Sequence, residues 1–362
     1  MRDALAELLL ATVMGWDQRD VARQRPILQA LAELKYDEYQ QFSPGMRFVE
    51  SLAFWLEQFV PADRPNAYDF IASKLVFFSE AEFSHFVSVI YPDYVRPILL
   101  ERAATDEGLP PHRVSRTLRG AAFRKLLEST LFLGLSDGAR LDHFRRSNRE
   151  LDHERVFQTA ELPPGKLDEL HRRLAPDTPD GKPPVRALVL LDDFAGSGKT
   201  YARWDEEEAD YDGKVVRLLN HLRTEESWKR LAWFPDTLIV IALYVSTTRA
   251  LQHMKQALGG YLRGVTDNIH YVCVQTLGDT YCLGPDSPDP FTVLIENHYD
   301  PTVENEHTRK GGTDLKFGFS GCGLPVVLHH NTPNNSIFLL WAEGSDVVRP
   351  LFPRVSRHKG ES

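Results

Sequence analysis

Two adjacent carboxylates, Asp192 and Asp193, stand between an apolar run and a small-residue bend in Leu188-Val189-Leu190-Leu191-Asp192-Asp193-Phe194-Ala195-Gly196-Ser197-Gly198-Lys199-Thr200. A carboxylate accepts hydrogen bonds, so this pair suits hydroxyl donors or a divalent cation rather than a phosphate. The bend has the opposite chemistry. Glycines at 196 and 198 let backbone N–H groups come close to an anion, and Ser197 and Thr200 add hydroxyl donors. A helix is expected directly after Thr200, with its positive end toward the same anion. Phosphate binding is the first expectation. A Walker A loop is matched only at its end, by Gly198-Lys199-Thr200. Asp193 falls where that loop needs its first glycine, and its charge would repel a nucleotide. Leu188 to Asp193 could serve as a Walker B strand, but no complete Walker A accompanies it.

Two other segments could contribute. Gly134-Leu135-Ser136-Asp137-Gly138-Ala139-Arg140 follows a β-rich run. Ser136, the backbone at Gly138 and Ala139, and Arg140 could meet an anion, while Asp137 would tolerate it only through a metal. Ser-Asp-Gly is equally a plain turn at a strand end. Arg145 and Arg146 beyond it read either as a solvated helix face or as a substrate clamp. Near the end of the chain, Gly321 to Asn335 is a dense polar run between apolar segments. His329, His330, Asn331 and Asn334 could read a ring or a partner, or the asparagines could simply build turns. On a strand, His329 and His330 would point to opposite faces, so at most one of them would belong to a site.

The elements that position these residues change character along the chain. Phe48, Leu52, Trp55 and Phe59 recur at helical spacing, and Ser79-Glu80-Ala81-Glu82 has the spacing of a capping box before the stripe Phe83, Phe86, Val87 and Ile90. Asp69 and His85 read as surface polar residues of these helices. From residue 130 onward, β-rich runs at 130–135, 187–191, 237–245 and 269–274 alternate with helical patterns at 214–230 and 247–259. Continuous apolar strands separated by helices predict a parallel sheet covered on both faces, so the fold class is α/β. Prolines 163, 164, 176, 179, 183 and 184 punctuate a loop-rich connection, and Trp204 to Asp212 reads as an acidic solvated loop. A helical region over 1–115 and an α/β domain over 116–362 are the expected divisions.

Composition bounds the rest. The 362 residues are 42% hydrophobic and 26% charged, with a net charge of −9, which disfavours extensive wrapping of nucleic acid. Cys273, Cys282 and Cys322 have no metal-ligand spacing and read as free thiols of a reducing compartment. The start of the chain carries acids where a secretory leader needs an apolar core, and Leu238 to Val245 is too short to cross a bilayer. A cytoplasmic protein without a membrane segment is expected.

The order around the acids, a hydrophobic strand, Asp192-Asp193, two variable residues, Gly196, then Ser197-Gly198-Lys199-Thr200, resembles the signature of type I phosphoribosyltransferases. That resemblance implies an α/β parallel-sheet core, here with an N-terminal helical region. It implies that Ala195, Gly196, Ser197, Gly198, Lys199 and Thr200 cradle the 5-phosphate of phosphoribosyl pyrophosphate while Asp192 and Asp193 face the ribose hydroxyls. Ser136, Asp137, Gly138, Ala139 and Arg140 become the pyrophosphate loop. Mg²⁺ is expected with Asp192, Asp193 and Asp137, directly or through water. Some purine-using members carry an aspartate where Gly196 stands, so an acid/base role on a purine is not supported. Taken with the 321–335 loop, the chain is similar to the phosphoribosyltransferase-CE branch of bacterial conflict systems over roughly 116–355. The branch implies a pentosyl-transferring effector of antiphage defence, with a partner protein of a defence operon or self-association. Two alternatives stay open: a catalytically inactive nucleotide sensor, and an adaptor whose helices dock a protein or nucleic acid, for which Phe78, Phe83 and Phe86 are candidates, although core packing is the first reading of these three.

Overall fold

The computed structural model describes residues 3–175, 183–304, 306–309, 311–343 and 348–354. Pro176 and Pro179 of the proline-rich connection lie outside the described residues. The chain forms two compact units, Met1–Phe83 with Gly278–Ser362, and Ser84–Leu277. This division does not follow the expected break near residue 115. The strands are β1 Val76–Phe78, β2 Thr130–Gly134, β3 Val156–Phe157, β4 Ala187–Ala195, β5 Arg203–Asp205, β6 Asp210–Asp212, β7 Leu238–Thr247, β8 Ile269–Leu277 and β9 Val326–Leu328.

In the unit Ser84–Leu277, five strands form one parallel sheet in the order β3-β2-β4-β7-β8. The order follows from hydrophobicity. Every residue of β2 and β7 is buried, as is β4 from Ala187 to Asp192, whereas β8 carries exposed His270, Gln275 and Thr276 and lies at an edge. The helices Pro164–Leu174, Lys214–Thr224 and Thr248–Tyr261 cover one face, where Leu167, Leu170, Leu219, Leu222 and Met254 join Leu188, Leu190, Ile239 and Ile241 in a single cluster. Burying each such side chain stabilises by roughly 1.5–3 kcal/mol.

Two local expectations are corrected. The strand does not close at Leu191: β4 runs on to Ala195, so both acids are strand residues, with Asp192 opposite Leu243. No helix begins at Thr200 either. The segment read as an acidic loop is the antiparallel hairpin β5–β6, and the helix starts only at Lys214. Cross-strand pairing outweighs the charge pattern there, because Trp204 faces Tyr211 with ring centroids 5.1 Å apart and Arg203 pairs with Asp212.

The unit Met1–Phe83 with Gly278–Ser362 is helical around the short parallel pair β1–β9. Phe48, Leu52, Trp55 and Phe59 are buried in its core, as their spacing predicts. The Trp55 indole donates to Leu339 O at 2.8 Å and Ser51 Oγ donates to Leu351 O at 2.7 Å, which ties the early helices to the end of the chain. The capping box forms: Ser79 N donates to Glu82 Oε2 at 2.8 Å and Glu82 N to Ser79 Oγ at 3.1 Å. Asp69 and His85 are exposed. Phe78, Phe83 and Phe86 are buried, which agrees with their reading as core residues and not with the docking alternative. Among the described residues, no helix is long and apolar enough to cross a membrane.

Candidate functional site

The carboxyl ends of β2, β4 and β7 bring two loops to one edge of the sheet, where open α/β folds bind ligands. The first loop, Ser136 to Arg140, leaves β2 through a single turn at Asp137–Ala139. It ends at Arg140, whose left-handed backbone (φ 49°, ψ 46°) redirects the chain into the helix Leu141–Ser147. A side chain other than glycine holds that conformation at a cost of order 1 kcal/mol, so surrounding contacts must impose it. One is Tyr244 on β7, which donates to Ala139 O at 2.6 Å in the interior. Tyr244→Phe leaves that carbonyl without its donor, and a loss of about 1 kcal/mol in urea unfolding is expected.

The second loop follows β4. Ser246 Oγ donates to Ala195 O at 3.3 Å and Thr247 Oγ1 to Gly196 O at 2.7 Å, so the end of β7 holds the carbonyl side of the loop. Thr247 Oγ1 also accepts from Ala250 N at 2.9 Å and caps the helix Thr248–Tyr261. Gly198 has φ +77°, and its Cα packs so closely on Ala250 O that a Cβ would lie 2.7 Å from it. Among the described residues, the amides of Ser197, Gly198 and Thr200 donate to no protein acceptor, although Ser197 and Gly198 are buried residues. Buried N–H groups are nearly always paired, so amides without a protein acceptor in a glycine bend are groups that an anion could engage. The helix end expected to help is turned to another use. Lys214 N donates to Thr200 O at 2.9 Å and Val215 N to Tyr201 O at 3.0 Å, so the first amides of Lys214–Thr224 brace the loop from behind.

The two acids are not equivalent. Asp192 is only 1% exposed, and both its oxygens are engaged inside the protein. Ser136 Oγ and the Asp193 amide donate to Oδ1, the latter at 3.1 Å; Tyr201 Oη donates to Oδ2 at 2.8 Å, where Lys214 Nζ also lies at 3.2 Å. Burial pushes the Asp192 carboxyl up to about 6 against the pull of Lys214, and Asp193 adds to the rise. Burial also holds the Tyr201 phenol protonated far above its ordinary range. Asp193 is half-buried and its carboxylate lies against Gly138, so a methyl group there would displace it. One buried acid thus ties the first loop, Tyr201 behind the second loop and the helix Lys214–Thr224 together, while the other borders the ligand edge.

The sequence profile of the PRTase-CE family matches residues 52–354, most of the chain. The chain belongs to the PRTase-CE family. The parallel sheet and its helices are the phosphoribosyltransferase-like core that this membership implies, and the match also takes in much of the helical first third. Neither a curated protein nor a solved structure matches.

Within this PRTase-CE chain, the residues expected for the phosphate cradle, the pyrophosphate loop and the acidic pair all fall in the unit Ser84–Leu277. His329, His330, Asn331 and Asn334 fall in the other unit. The histidines are not on a strand. β9 ends at Leu328, and in the turn beyond it their rings lie 4.8 Å apart, both against Phe83, which corrects the opposite-face expectation. Asn331 Oδ1 accepts from Thr332 N at 3.0 Å and Asn334 O from Phe319 N at 2.7 Å, which favours the turn-building reading of this loop. Arg145 and Arg146 lie on the helix Leu141–Ser147. Ser246, Thr247, Tyr201, Lys214 and Tyr244 escaped the sequence reading. Only Ser246-Thr247, hydroxyls at the end of an apolar run and the start of a helical pattern, carried a local signal.

Among the described residues, no three of His, Cys, Asp and Glu gather as a metal cage. Magnesium needs no cage, since it keeps several waters and uses one or two carboxylates with its ligand's own oxygens. With Asp192 saturated from within, half-buried Asp193 and exposed Asp137 are the residues suited to that role.

Proposed function

We propose that the protein binds phosphoribosyl pyrophosphate, or a closely related pentose phosphate, with Mg²⁺, and transfers the pentosyl group as an effector of bacterial antiphage defence acting in the cytoplasm. The observation that carries the reading is the set of amides at Ser197, Gly198 and Thr200 that have no protein acceptor among the described residues, in the bend that follows Asp193 at the end of β4. The amides take the terminal phosphate, and the carboxylate takes the ribose diol or the cation. Ser136 to Arg140 then borders the diphosphate, whose developing negative charge Arg140 helps to stabilise as the C1–O bond breaks. Mg²⁺, held by Asp193 and Asp137, would neutralise the diphosphate leaving group. Asp192 positions rather than contacts: it holds Ser136 and Tyr201 in place.

Asp193→Asn should weaken phosphoribosyl pyrophosphate binding at least tenfold in calorimetry with saturating Mg²⁺, because a charge-assisted contact contributes about 1.5–3 kcal/mol. Unchanged affinity rejects the assignment. A second reading, a nucleotide sensor without turnover, is favoured by Gly196, where a carboxylate acting on a purine would otherwise stand. Release of inorganic pyrophosphate with a panel of nitrogen nucleophiles supports transfer; tight binding with no release supports the sensor.

A further inference from the structure

Between Gly108 and Leu127 the chain carries five cations, Arg113, Arg116, Arg119, Arg124 and Lys125, and no acid, although its net charge is −9. All five are exposed, and among the described residues none of their side chains has a hydrogen-bond or ion-pair partner. Other arginines of the same unit behave differently. Arg102 lies 3.3 Å from Asp106 Oδ1, Arg186 2.6 Å from Asp106 Oδ2 and Arg155 3.3 Å from Asp152 Oδ2. The five cations flank or occupy the helices Val114–Arg119 and Ala121–Glu128, which Gly120 alone joins. The two helices pack on each other and on the helix Arg96–Asp106, with Thr117, Phe123 and Leu126 buried beneath them. They are about 9 and 12 Å long, so the patch spans roughly two Debye lengths at 0.1 M salt and its charges act together. Helix dipoles favour cations in a last turn, which accounts for Arg116, Arg119 and Lys125 but not for Arg113 and Arg124. Arg113, Arg116 and Arg119 follow one another at steps of three, where like charges repel. The acids at the margins leave this charge standing. Glu107 Oε1 accepts from Ala122 N at 3.2 Å, and exposed Glu128 pairs with none of the five.

We propose that this surface docks the phosphate backbone of a nucleic-acid duplex, independently of base sequence. Four of the five cations are arginines, whose planar fork matches the oxygen pair of a phosphodiester. The patch has no exposed aromatic ring, since Phe123 is buried, so it offers no platform for unstacked bases and no anchor for a lipid headgroup layer. Its exposed large apolar side chains are Val114 and Leu118 on a helix of six residues, which give little to bury in a bilayer surface. Release of counterions from the phosphates supplies the affinity. The contact is local, with a few phosphates engaged on one side of the duplex, and so is compatible with a chain too acidic to wrap nucleic acid extensively.

Fluorescence anisotropy of a labelled mixed-sequence DNA duplex of about 20 base pairs, titrated with the full chain over a range of salt concentrations, tests this. Log affinity should fall linearly with log salt, with a slope between about −3 and −4.5, as up to five phosphate contacts imply. A duplex of unrelated sequence should bind within about twofold. The triple variant Arg116→Gln, Arg119→Gln, Arg124→Gln should bind at least about tenfold more weakly and make the slope shallower by about three. Its urea midpoint and its phosphoribosyl pyrophosphate affinity should stay near the parent's, because none of the three side chains has a partner in the fold. Lysine at the same three positions should keep most of the slope, since the charge is retained. Arg25→Gln, which removes an exposed cation already paired with Glu7 at 2.9 Å, should leave duplex affinity within about twofold. Three results would each overturn the proposal: no duplex binding at about 50 mM salt, parent-like affinity and slope in the triple variant, or tighter binding to phosphatidylserine vesicles or to a single strand of equal length. The phosphoribosyl pyrophosphate titration is read independently of all three.

Discussion

Gly198→Ala is expected to cost at least about 3 kcal/mol of stability in urea unfolding and to abolish detectable phosphoribosyl pyrophosphate binding. Two penalties combine. The backbone at φ +77° disfavours any L side chain, and the new Cβ would sit 2.7 Å from the Ala250 carbonyl and 3.2 Å from Met254. The carbonyl cannot retreat, because it belongs to the first turn of the helix that Thr247 caps. Relief must therefore come from the bend, and moving the bend scatters the amides of Ser197 and Thr200. Gly165 is the control. Nothing lies within 4 Å of its missing Cβ, and it sits in the helix Pro164–Leu174, so Gly165→Ala should be neutral or stabilise by up to about 1 kcal/mol. A stable, binding-competent Gly198→Ala protein would contradict the architecture of the bend.

The buried carboxylate makes the second large prediction, a stability that falls as pH rises. Asp192 titrates near 6 in the folded chain, against an ordinary carboxylate value of 3.8 when unfolded. Between those values the folded state keeps a proton that the unfolded state has released, so each step up in pH favours unfolding. The contribution is fully present below about pH 4, is lost through about pH 6, and amounts to roughly 3 kcal/mol at most. Asp192→Asn mimics the protonated acid. Denaturation midpoints should then be close to the parent's near pH 4 and clearly above them at pH 8. Lys214→Met should move the other way, since Lys214 is the cation that restrains the rise. An asparagine variant less stable than its parent at pH 8 would show that the ion pair, not the desolvated charge, dominates this site. The same comparison separates the two acids, because Asp192→Asn should keep far more phosphoribosyl pyrophosphate affinity than Asp193→Asn.

Much of the fold was legible from the order of residues, because long apolar strands and capped helices are decided by neighbours in sequence. Leu188 to Leu191 and Leu238 to Val245 read as buried parallel strands, and Ser79 with Glu82 as the start of a helix, and both readings hold. The acidic pair followed by a glycine bend was legible as a candidate site for the same local reason. Errors arose where a partner on another strand or across a turn had the deciding contact. Pairing with β7 carried β4 past the acids, the Trp204–Tyr211 and Arg203–Asp212 pairs turned an acidic loop into a hairpin, and Phe83 gathered two histidines expected to diverge.

The residue sequence by itself determined which chemistry this edge could offer: donors in a bend, acceptors before it, and a parallel sheet to present both. Tertiary structure alone decided how the acids divide the work. Ser136, Tyr201 and Lys214 lie 56, 9 and 22 positions from Asp192, and only folding brings them onto its two oxygens. Nothing in the dipeptide Asp192-Asp193 distinguishes its members. Their environments do, because burial and saturated hydrogen bonding make one a brace, while a half-buried place against Gly138 leaves the other at the ligand edge.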